Sequence, residues 1–321
     1  MNKQLIDDAI RVLQDFEPKT EPYYLCYSGG KDSDAVRILA ELSGVKYELH
    51  HNLTTVDAPE TVKYVQALFE QYGPPKLETD AEGRKAYRYG DKAFIHLPKK
   101  NMWRLIVEKQ IPPTMIQRYC CAELKEKGGK GRVKITGVRK KESASRAKNG
   151  GLVKIIGKEK GTIKIAESFD AEFEITKKPG IVLNTDDAPS RRVVESCYRT
   201  TSTMVNPIIE WSDEDVWSFL HEQGCKGNPL YEQGYYRVGC IGCPFAQVVN
   251  RKKGLQRYPK YRQLYLNAFK KMLEVRKAKG KDDTPGNWQS PEHVMKWWLF
   301  EDPNQITVEE WIQMLEEEGL Y

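Results

Sequence analysis

The residues best suited to chemistry in this sequence form a short glycine-containing run, Ser28-Gly-Gly-Lys-Asp-Ser33. An apolar stretch precedes the run and a helical pattern follows it, which predicts a turn between a strand and a helix. Gly29 and Gly30 let backbone N–H groups point inward and let a phosphate approach closely, while the helix N-terminus and Lys31 add positive charge. The spacing differs from the Gly-x-x-x-x-Gly-Lys-Ser/Thr loop of kinases and GTPases. We therefore predict a site for the phosphates of a nucleotide.

Four cysteines form a second candidate site. Cys120 and Cys121 are adjacent, and Cys240 and Cys243 form a Cys-x-x-Cys pair much later in the chain. Adjacent cysteines are awkward ligands for one tetrahedral zinc ion, whereas a four-iron cluster takes one thiolate per iron. The pattern favours a [4Fe–4S] cluster over zinc or free thiols, and Cys197 is an alternative ligand to Cys120 or Cys121.

The elements that must position these residues follow from the apolar spacing. Ala35 to Leu42 give one face of a helix that ends at Gly44, and Val45 to Leu53 read as the next strand. A further helix is predicted to end near Tyr72. Strand and helix alternating at this spacing predict an α/β fold, a doubly wound parallel sheet of Rossmann-like type with ligands at the carboxyl ends of its strands.

The chain is predicted to have two parts. Residues 1–246 form the nucleotide-binding domain, which carries a small β-rich insertion at 148–190, and residues 247–321 form a C-terminal helical region. Within the insertion, the alternating runs Leu152 to Ile156 and Thr162 to Ala166 are expected to be strands. The lysines of this part are expected to face solvent, and contact with nucleic acid is the less favoured interpretation.

Composition sets the class of protein. A hydrophobic content of 40% fits a globular chain, and neither an apolar run of about 18 residues nor a secretory leader is present, so we expect a cytoplasmic protein without membrane association. Seven cysteines without a disulfide-like pattern suggest a reducing compartment. The net charge of +6 suits polyanionic ligands but does not by itself indicate nucleic-acid binding.

Several runs resemble one known family. The glycine run is similar to the PP-loop of enzymes that use ATP between its α- and β-phosphates, and the paired cysteines are similar to a known iron-sulfur framework. The other matching runs are Asp57-Ala-Pro-Glu-Thr61, Gly137-Val-Arg139-Lys-Lys-Glu-Ser-Ala-Ser-Arg146, Asn206-Pro-Ile-Ile-Glu-Trp-Ser-Asp-Glu-Asp-Val-Trp217 and Asn228-Pro-Leu-Tyr-Glu-Gln-Gly-Tyr-Tyr-Arg-Val-Gly-Cys240. In this order they resemble the phosphoadenylyl-sulfate (PAPS) and adenylyl-sulfate reductases of the PP-loop superfamily, in particular their iron-sulfur branch, over residues 23 to about 246.

The resemblance implies an adenine nucleotide as ligand, whether ATP, adenylyl sulfate or PAPS, with Mg²⁺ as a candidate companion. It also implies a [4Fe–4S] cluster and a thiol reductant or sulfur-donor protein as partner. Arginine forks suit phosphate and sulfate oxygens. The residues expected to bind the nucleotide phosphates are Ser28, Gly29, Gly30, Lys31, Asp32, Ser33, Asp57, Arg139 and Arg146.

The sequence departs from the reductases at the nucleophile. Those enzymes attack sulfur with a cysteine in a C-terminal Glu-Cys-Gly-Leu-His segment, whereas this chain reads Glu317-Glu-Gly-Leu-Tyr321 and has no cysteine after Cys243. A carboxylate cannot form the thiosulfonate intermediate, so Cys197 and Cys225 are the candidate replacements.

Three functions are therefore predicted as alternatives. The first is an oxidoreductase of sulfur metabolism similar to PAPS and adenylyl-sulfate reductases. The second is an ATP-dependent iron-sulfur sulfurtransferase that modifies nucleic acid, as in DNA phosphorothioation or tRNA thiolation. The third is a non-catalytic nucleotide sensor in which the cluster is structural.

Overall fold

The computed structural model describes residues 2–80, 83–157, 159–176, 180–281 and 288–300. The described helices are α1 (Lys3–Asp15), α2 (Lys31–Ser43), α3 (Pro59–Glu70), α4 (Met102–Lys109), α5 (Tyr119–Leu124), α6 (Ala144–Asn149), α7 (Glu159–Ser168), α8 (Ala188–Cys197), α9 (Asp213–Glu222), α10 (Val248–Arg257), α11 (Pro259–Ala278) and α12 (Pro291–Trp298), with a 3₁₀ helix at Lys140–Glu142. The strands are β1 (Tyr23–Cys26), β2 (Tyr47–Asn52), β3 (Pro75–Thr79), β4 (Lys85–Tyr89), β5 (Ala93–Leu97), β6 (Val133–Ile135), β7 (Val153–Ile156), β8 (Glu174–Ile175), β9 (Gly180–Leu183) and β10 (Ser202–Val205).

The chain groups into two compact units. Unit 1 contains residues 1–53, 57–99 and 125–239, and unit 2 contains residues 54–56, 100–124 and 240–321. Unit 2 is therefore assembled from three separate stretches of sequence. This grouping differs from the division at residue 246 that the sequence suggests, and that division stays a prediction about independently folding domains.

The described residues of unit 1 form one ten-stranded sheet with the order β3-β4-β5-β2-β1-β6-β10-β7-β9-β8. The five central strands, β5-β2-β1-β6-β10, are parallel, and antiparallel strands extend the sheet at both edges. In the centre, Tyr23 to Cys26 of β1 pair with Tyr47 to His50 of β2. The α/β class with a parallel central sheet is confirmed.

The strand-turn-helix around the glycine run follows from local sequence. Alternate residues of β1, Tyr23 and Leu25, belong to the main apolar core, which also includes Leu39 of α2. Helix α2 ends where Gly44 takes the left-handed conformation (φ +73°) that glycine adopts without strain. Local sequence therefore accounts for both ends of helix α2, which follows the glycine run.

The inserted region is only partly the β structure that the sequence predicts. Leu152 to Ile156 includes strand β7, as expected, but the Thr162 to Ala166 run lies in helix α7 rather than in a strand. Thr162 and Ala166 are both buried and are four residues apart, which is the spacing of one helix face. This helical period decides the structure over the alternation of isoleucines between them.

Unit 2 is helical in its C-terminal part, as the sequence predicts. Helix α11 packs against α4 and α12, and Tyr265 lies 4.6 Å from Trp298 and 4.9 Å from Trp103, measured between ring centroids. The indole of Trp298 donates to the carbonyl of Pro113 at 2.8 Å. These aromatic residues are therefore core packing between helices. Trp311 and the Glu317 to Tyr321 tail lie outside the described residues.

Candidate functional site

The glycine run of unit 1, residues 28–33, forms a tight turn that requires glycine at one position. Gly29 has φ +75°, and a Cβ there would lie 2.8 Å from Cγ2 of Val65. Gly30 caps α2, and its N–H donates to Oγ of Ser33 at 3.2 Å while that hydroxyl donates to the Gly30 carbonyl at 2.7 Å. The backbone and the first helical turn thus hold one another in place.

A distant segment braces this loop from one side. Asn228 is fully buried and donates through Nδ2 to the carbonyl of Gly29 at 2.9 Å and to Oγ1 of Thr61 at 3.1 Å. Three residues later, the hydroxyl of Tyr231 accepts the N–H of Lys31 at 3.0 Å. The Asn228-Pro-Leu-Tyr231 run therefore fixes the position of the loop.

Two cations and two carboxylates form a network at the loop, to which Arg139 and Asp213 come from distant segments. The buried Nζ of Lys31 is 3.1 Å from Asp32 and 2.8 Å from Oδ1 of Asp213. Arg139, also buried, donates from Nε to Asp32 at 2.7 Å and from Nη2 to Oδ1 of Asp213 at 2.5 Å. Burial alone would raise the pKa of Asp213, but hydrogen bonds from Lys31 and Tyr236, with the charges of Lys31 and Arg139, hold it well below its usual range.

A third carboxylate lies deeper behind the loop. Asp34 is fully buried on α2, and the hydroxyls of Tyr27 and Tyr64 donate to its two oxygens at 2.5 and 3.0 Å. Burial raises the pKa of Asp34 to about 6, and the two tyrosine hydrogen bonds and the charge of Arg37 only partly oppose it. Asp34 therefore titrates at a pH where most carboxylates are fully ionised.

The other predicted phosphate-binding residues have separate surroundings. Arg146 pairs with Glu142 one turn away, and Ser143 caps the short helix that carries it. Asp57 is half-buried in the segment before α3, where its charge acts on the buried His51. Their roles at the nucleotide stay predictions, whereas Arg139 is joined to the loop by the contacts described above.

The four candidate ligand cysteines all belong to unit 2 and are all half-buried. Cys120 and Cys121 open helix α5. Cys240 and Cys243 flank a turn in which Gly242 has φ +75° and the hydroxyl of Tyr265 donates to the carbonyl of Ile241 at 2.9 Å. A Cβ at Gly242 would lie only 2.6 Å from Trp298, so this turn also requires glycine.

The thiols are close enough to influence one another. A hydrogen bond with Cys121 raises the pKa of Cys120 most, followed by burial and by the charges of Cys121, Cys240 and Cys243. Within the described ranges, no group of three or more His, Cys, Asp or Glu side chains is placed to hold a metal ion. A four-iron cluster takes one thiolate on each iron, so its sulfurs need not meet at one ion.

A buried arginine gives an independent test of what unit 2 can hold. Arg251 is 2% exposed, its guanidinium lies 4.6 Å from the ring of Trp298, and its Nε and Nη2 have no hydrogen-bond partner among the described residues. Burial lowers its pKa to about 10, which the charges of Tyr265 and Cys243 partly oppose. A buried cation of this kind requires an anion, and a group held by four thiolates is one. The residues present therefore fit an anionic thiolate cluster.

The two candidate nucleophiles lie in unit 1. Cys197 ends α8 in the apolar core, fully buried, and burial raises its pKa to about 11. Cys225 is half-buried against the same core, and burial, followed by the charge of Asp34, raises its pKa as well. Because a nucleophilic thiol needs a lowered pKa, both placements argue against activation, and the core position of Cys197 argues against a ligand role.

Sequence reasoning missed several residues that build these sites. Asp213, Asn228 and Tyr231 lie within runs that it singled out, but roughly two hundred residues separate them from their partners on the loop. The available signal was that these residues lie in runs that resemble the family's motifs. Arg251 carries no local signal, since it lies in a helical stretch rich in basic residues.

Comparison with known families places the chain in one class. The phosphoadenosine phosphosulfate reductase domain matches residues 22–246, well over half of the sequence. The chain belongs to this family. None of the described helices combines the length and the apolar character needed to cross a membrane.

Individual relatives are more distant. An uncharacterized protein of Methanocaldococcus jannaschii is 24% identical over 264 residues, which are 80% of this chain and 48% of the relative. The adenosine 5'-phosphosulfate reductase of Allochromatium vinosum is 40% identical over 45 residues, 14% of this chain and 18% of that enzyme. Among solved structures, a PAPS reductase of Candida auris in a phosphate complex aligns with 75% of this chain and 96% of its own, at 13% identity and a TM-score of 0.38. The chain spans about half the length of the first curated relatives it matches.

Proposed function

We propose that the protein is an enzyme that binds an adenine nucleotide through its phosphates at the loop of residues 28–33. The observation that carries the proposal is the turn at Gly29, which leads into α2. Two buried cations lie at the start of this helix, namely its first residue, Lys31, and Arg139 from a distant segment. Backbone N–H groups at a helix N-terminus, together with positive side chains, favour phosphate. Membership of the phosphoadenosine phosphosulfate reductase domain family supports the nucleotide class.

Calorimetry with ATP, adenylyl sulfate and PAPS tests this proposal. A side chain at Gly30 would begin 3.3 Å from the hydroxyl of Tyr231, so Gly30→Val should block close approach of phosphate and abolish detectable binding. Gly161→Val is the matched control, because an added Cβ there meets nothing within 4 Å. Undiminished binding by the Gly30 variant would contradict the placement. The nucleotide bound most tightly names the substrate class.

We further propose that Cys120, Cys121, Cys240 and Cys243 bind a [4Fe–4S] cluster. Support comes from the mutual influence of the four thiols and from the unpaired nitrogens of the buried Arg251 in the same unit. When bound, such a cluster supplies either a cross-link between the two cysteine segments or a route for electrons.

Anaerobic purification tests the cluster directly. Iron and acid-labile sulfide should each be near four per chain. Cys243→Ser should lower both, while Cys225→Ser, which removes a thiol from unit 1, should leave both unchanged. Stoichiometric zinc without sulfide would overturn the proposal.

The reaction is proposed to belong to nucleotide-dependent sulfur chemistry. In a reductase, a thiolate attacks the sulfur of the sulfonucleotide, the nucleoside phosphate leaves, and an external thiol then reduces the enzyme thiosulfonate to release sulfite. The raised pKa of both Cys197 and Cys225 disfavours this route. The second candidate is an ATP-dependent sulfurtransferase with a sulfur-donor protein and a nucleic-acid acceptor, and the third is a nucleotide sensor without catalysis.

Two assays separate these reactions. We expect thioredoxin-dependent sulfite release from adenylyl sulfate to be undetectable and pyrophosphate release from ATP to depend on an acceptor such as DNA or tRNA. Brisk sulfite release would restore the reductase, and Cys197→Ser and Cys225→Ser would then identify its nucleophile. Nucleotide binding with turnover in neither assay would indicate a sensor.

A further inference from the structure

The proposed phosphate site contains an anion of its own. Oδ1 of Asp213 accepts from Lys31 at 2.8 Å and from Arg139 at 2.5 Å, so one carboxylate oxygen lies between both cations. The other oxygen of Asp213 accepts from the hydroxyl of Tyr236. A phosphate oxygen bound by Lys31 and Arg139 would take the place that Oδ1 has here.

Two backbone N–H donors of the loop are bonded to side-chain hydroxyls. The N–H of Gly30 is bonded to Ser33, and that of Lys31 is bonded to Tyr231. The two cations, Lys31 and Arg139, face two carboxylates, Asp32 and Asp213, so the charges of this network cancel. A polyanion entering the site must therefore exchange with an internal partner.

Asp213 is the partner that can leave most readily. It is the first residue of α9, its side chain is 30% exposed, and Tyr236, which holds its outer oxygen, is 79% exposed. The helix does not depend on it, because Ser212 and Asp215 form the capping box. Asp32, in contrast, belongs to the loop itself.

We propose that Asp213 is an internal counter-ion that occupies the phosphate position and is displaced from Lys31 and Arg139 when the nucleotide binds. This inference rests on the nucleotide site proposed above and adds a residue that sets its affinity. Asp213 selects for ligands with enough negative charge to displace a carboxylate, and so favours a polyphosphate over a monophosphate.

Binding of ATP and of inorganic pyrophosphate to Asp213→Asn tests the inference. The amide keeps the shape of the side chain but removes its charge, so affinity for both probes should rise about tenfold, and more at low salt. Asp213→Ser, which suits a helix start, should behave alike if the amide disturbs folding. Glu214→Gln is the matched control, because it removes one charge from the next, exposed position of the same helix. Its affinity should equal that of the unmodified protein.

The outcomes separate the two levels of proposal. Nucleotide binding by the unmodified protein with no gain in either Asp213 variant would overturn the counter-ion role alone. Weaker binding by folded Asp213 variants, with unchanged thermal unfolding, would overturn it by making Asp213 a ligand-holding residue. Absence of binding in the unmodified protein and in every variant would overturn the nucleotide site itself. Binding seen only after Asp213 is neutralised would support both.

Discussion

The buried cations of the two units differ in whether they have partners. In unit 1, Lys31 and Arg139 are buried, and each pairs with both Asp32 and Asp213. In unit 2, the guanidinium of Arg251 is equally buried, yet two of its nitrogens have no partner among the residues that the structure describes. The first site is electrically complete without a ligand, and the second is not.

This difference indicates what each ligand does for its unit. An unpaired buried charge costs several kcal/mol, whereas a paired one is close to neutral for stability. The proposed phosphate site is therefore expected to be stable without its ligand and to exchange one anion for another. If the proposed cluster supplies the anion that Arg251 lacks, it stabilises unit 2, as a resident cofactor does and a substrate does not.

The largest expected effect tests the unpaired arginine. In protein loaded with the cluster, Arg251→Met should lower the free energy of unfolding by about 3–5 kcal/mol, because it removes the counter-charge of the thiolates. In protein stripped of iron, the same substitution should be neutral or stabilising, because it removes an unpaired buried charge. Anaerobic thermal unfolding of both forms, with iron and sulfide analysis, measures the difference.

Arg276→Met is the control for that experiment. Arg276 also stacks on a tryptophan in unit 2, 5.5 Å from the ring of Trp288, and it donates to the carbonyl of Gln110. Its substitution should have the same effect with and without iron. If the effect of Arg251→Met is also the same with and without iron, Arg251 does not depend on the cluster for its counter-charge. The contrast in charge pairing between the two units would then be wrong.

The next effect tests whether unit 1 builds its site by packing rather than by its ligand. Gly29→Ala should destabilise the protein by about 2–4 kcal/mol, because it adds both left-handed strain and a contact 2.8 Å from Val65. Gly44→Ala shares the positive φ but meets nothing within 4 Å, so it should cost only the strain, about 1 kcal/mol. Denaturant unfolding gives both values. Equal losses would mean that the loop is not tightly packed.

The parts of the fold that the sequence predicts are those encoded by neighbouring residues. The strand-turn-helix around Gly29 and Gly30, the ending of α2 at Gly44 and the aromatic packing of α11 all follow from short-range period and turn chemistry. The prediction of a strand where helix α7 lies is wrong because the five-residue run Thr162-Ile-Lys-Ile-Ala166, with two isoleucines, fits both periods. Burial of Thr162 and Ala166, four residues apart, matches the helical period.

The site could be predicted only in outline for the same reason. The residue types in the glycine run and the cysteine pairs predict that a ligand binds there. The pairing of Asp213 with Lys31, however, joins positions 182 apart in sequence. No residue near Lys31 in the sequence indicates that Asp213 is its partner. The lack of hydrogen-bond partners for Nε and Nη2 of Arg251 is even harder to predict from the sequence. It depends on the positions of all the polar groups around the guanidinium.

The smallest effect concerns Asp34, the exception within unit 1, whose direct partners are the neutral tyrosines Tyr27 and Tyr64. Its pKa is raised to about 6 in the folded protein, so the folded state binds more protons than the unfolded state between about pH 4 and pH 6. Stability from this group is therefore complete below pH 4 and is lost as the pH rises to about 6, by about 2–3 kcal/mol.

Asp34→Asn should remove this pH dependence of the unfolding free energy. The difference in unfolding free energy between variant and unmodified protein should then level off above about pH 6. Tyr64→Phe, which deletes one hydrogen bond to the ionised form, should move the slope to higher pH. If the difference in unfolding free energy stays constant from pH 4 to pH 7, Asp34 ionises with an ordinary pKa. The surroundings of Asp34 in unit 1 would then stabilise its charge as fully as Lys31 and Arg139 stabilise Asp32 and Asp213.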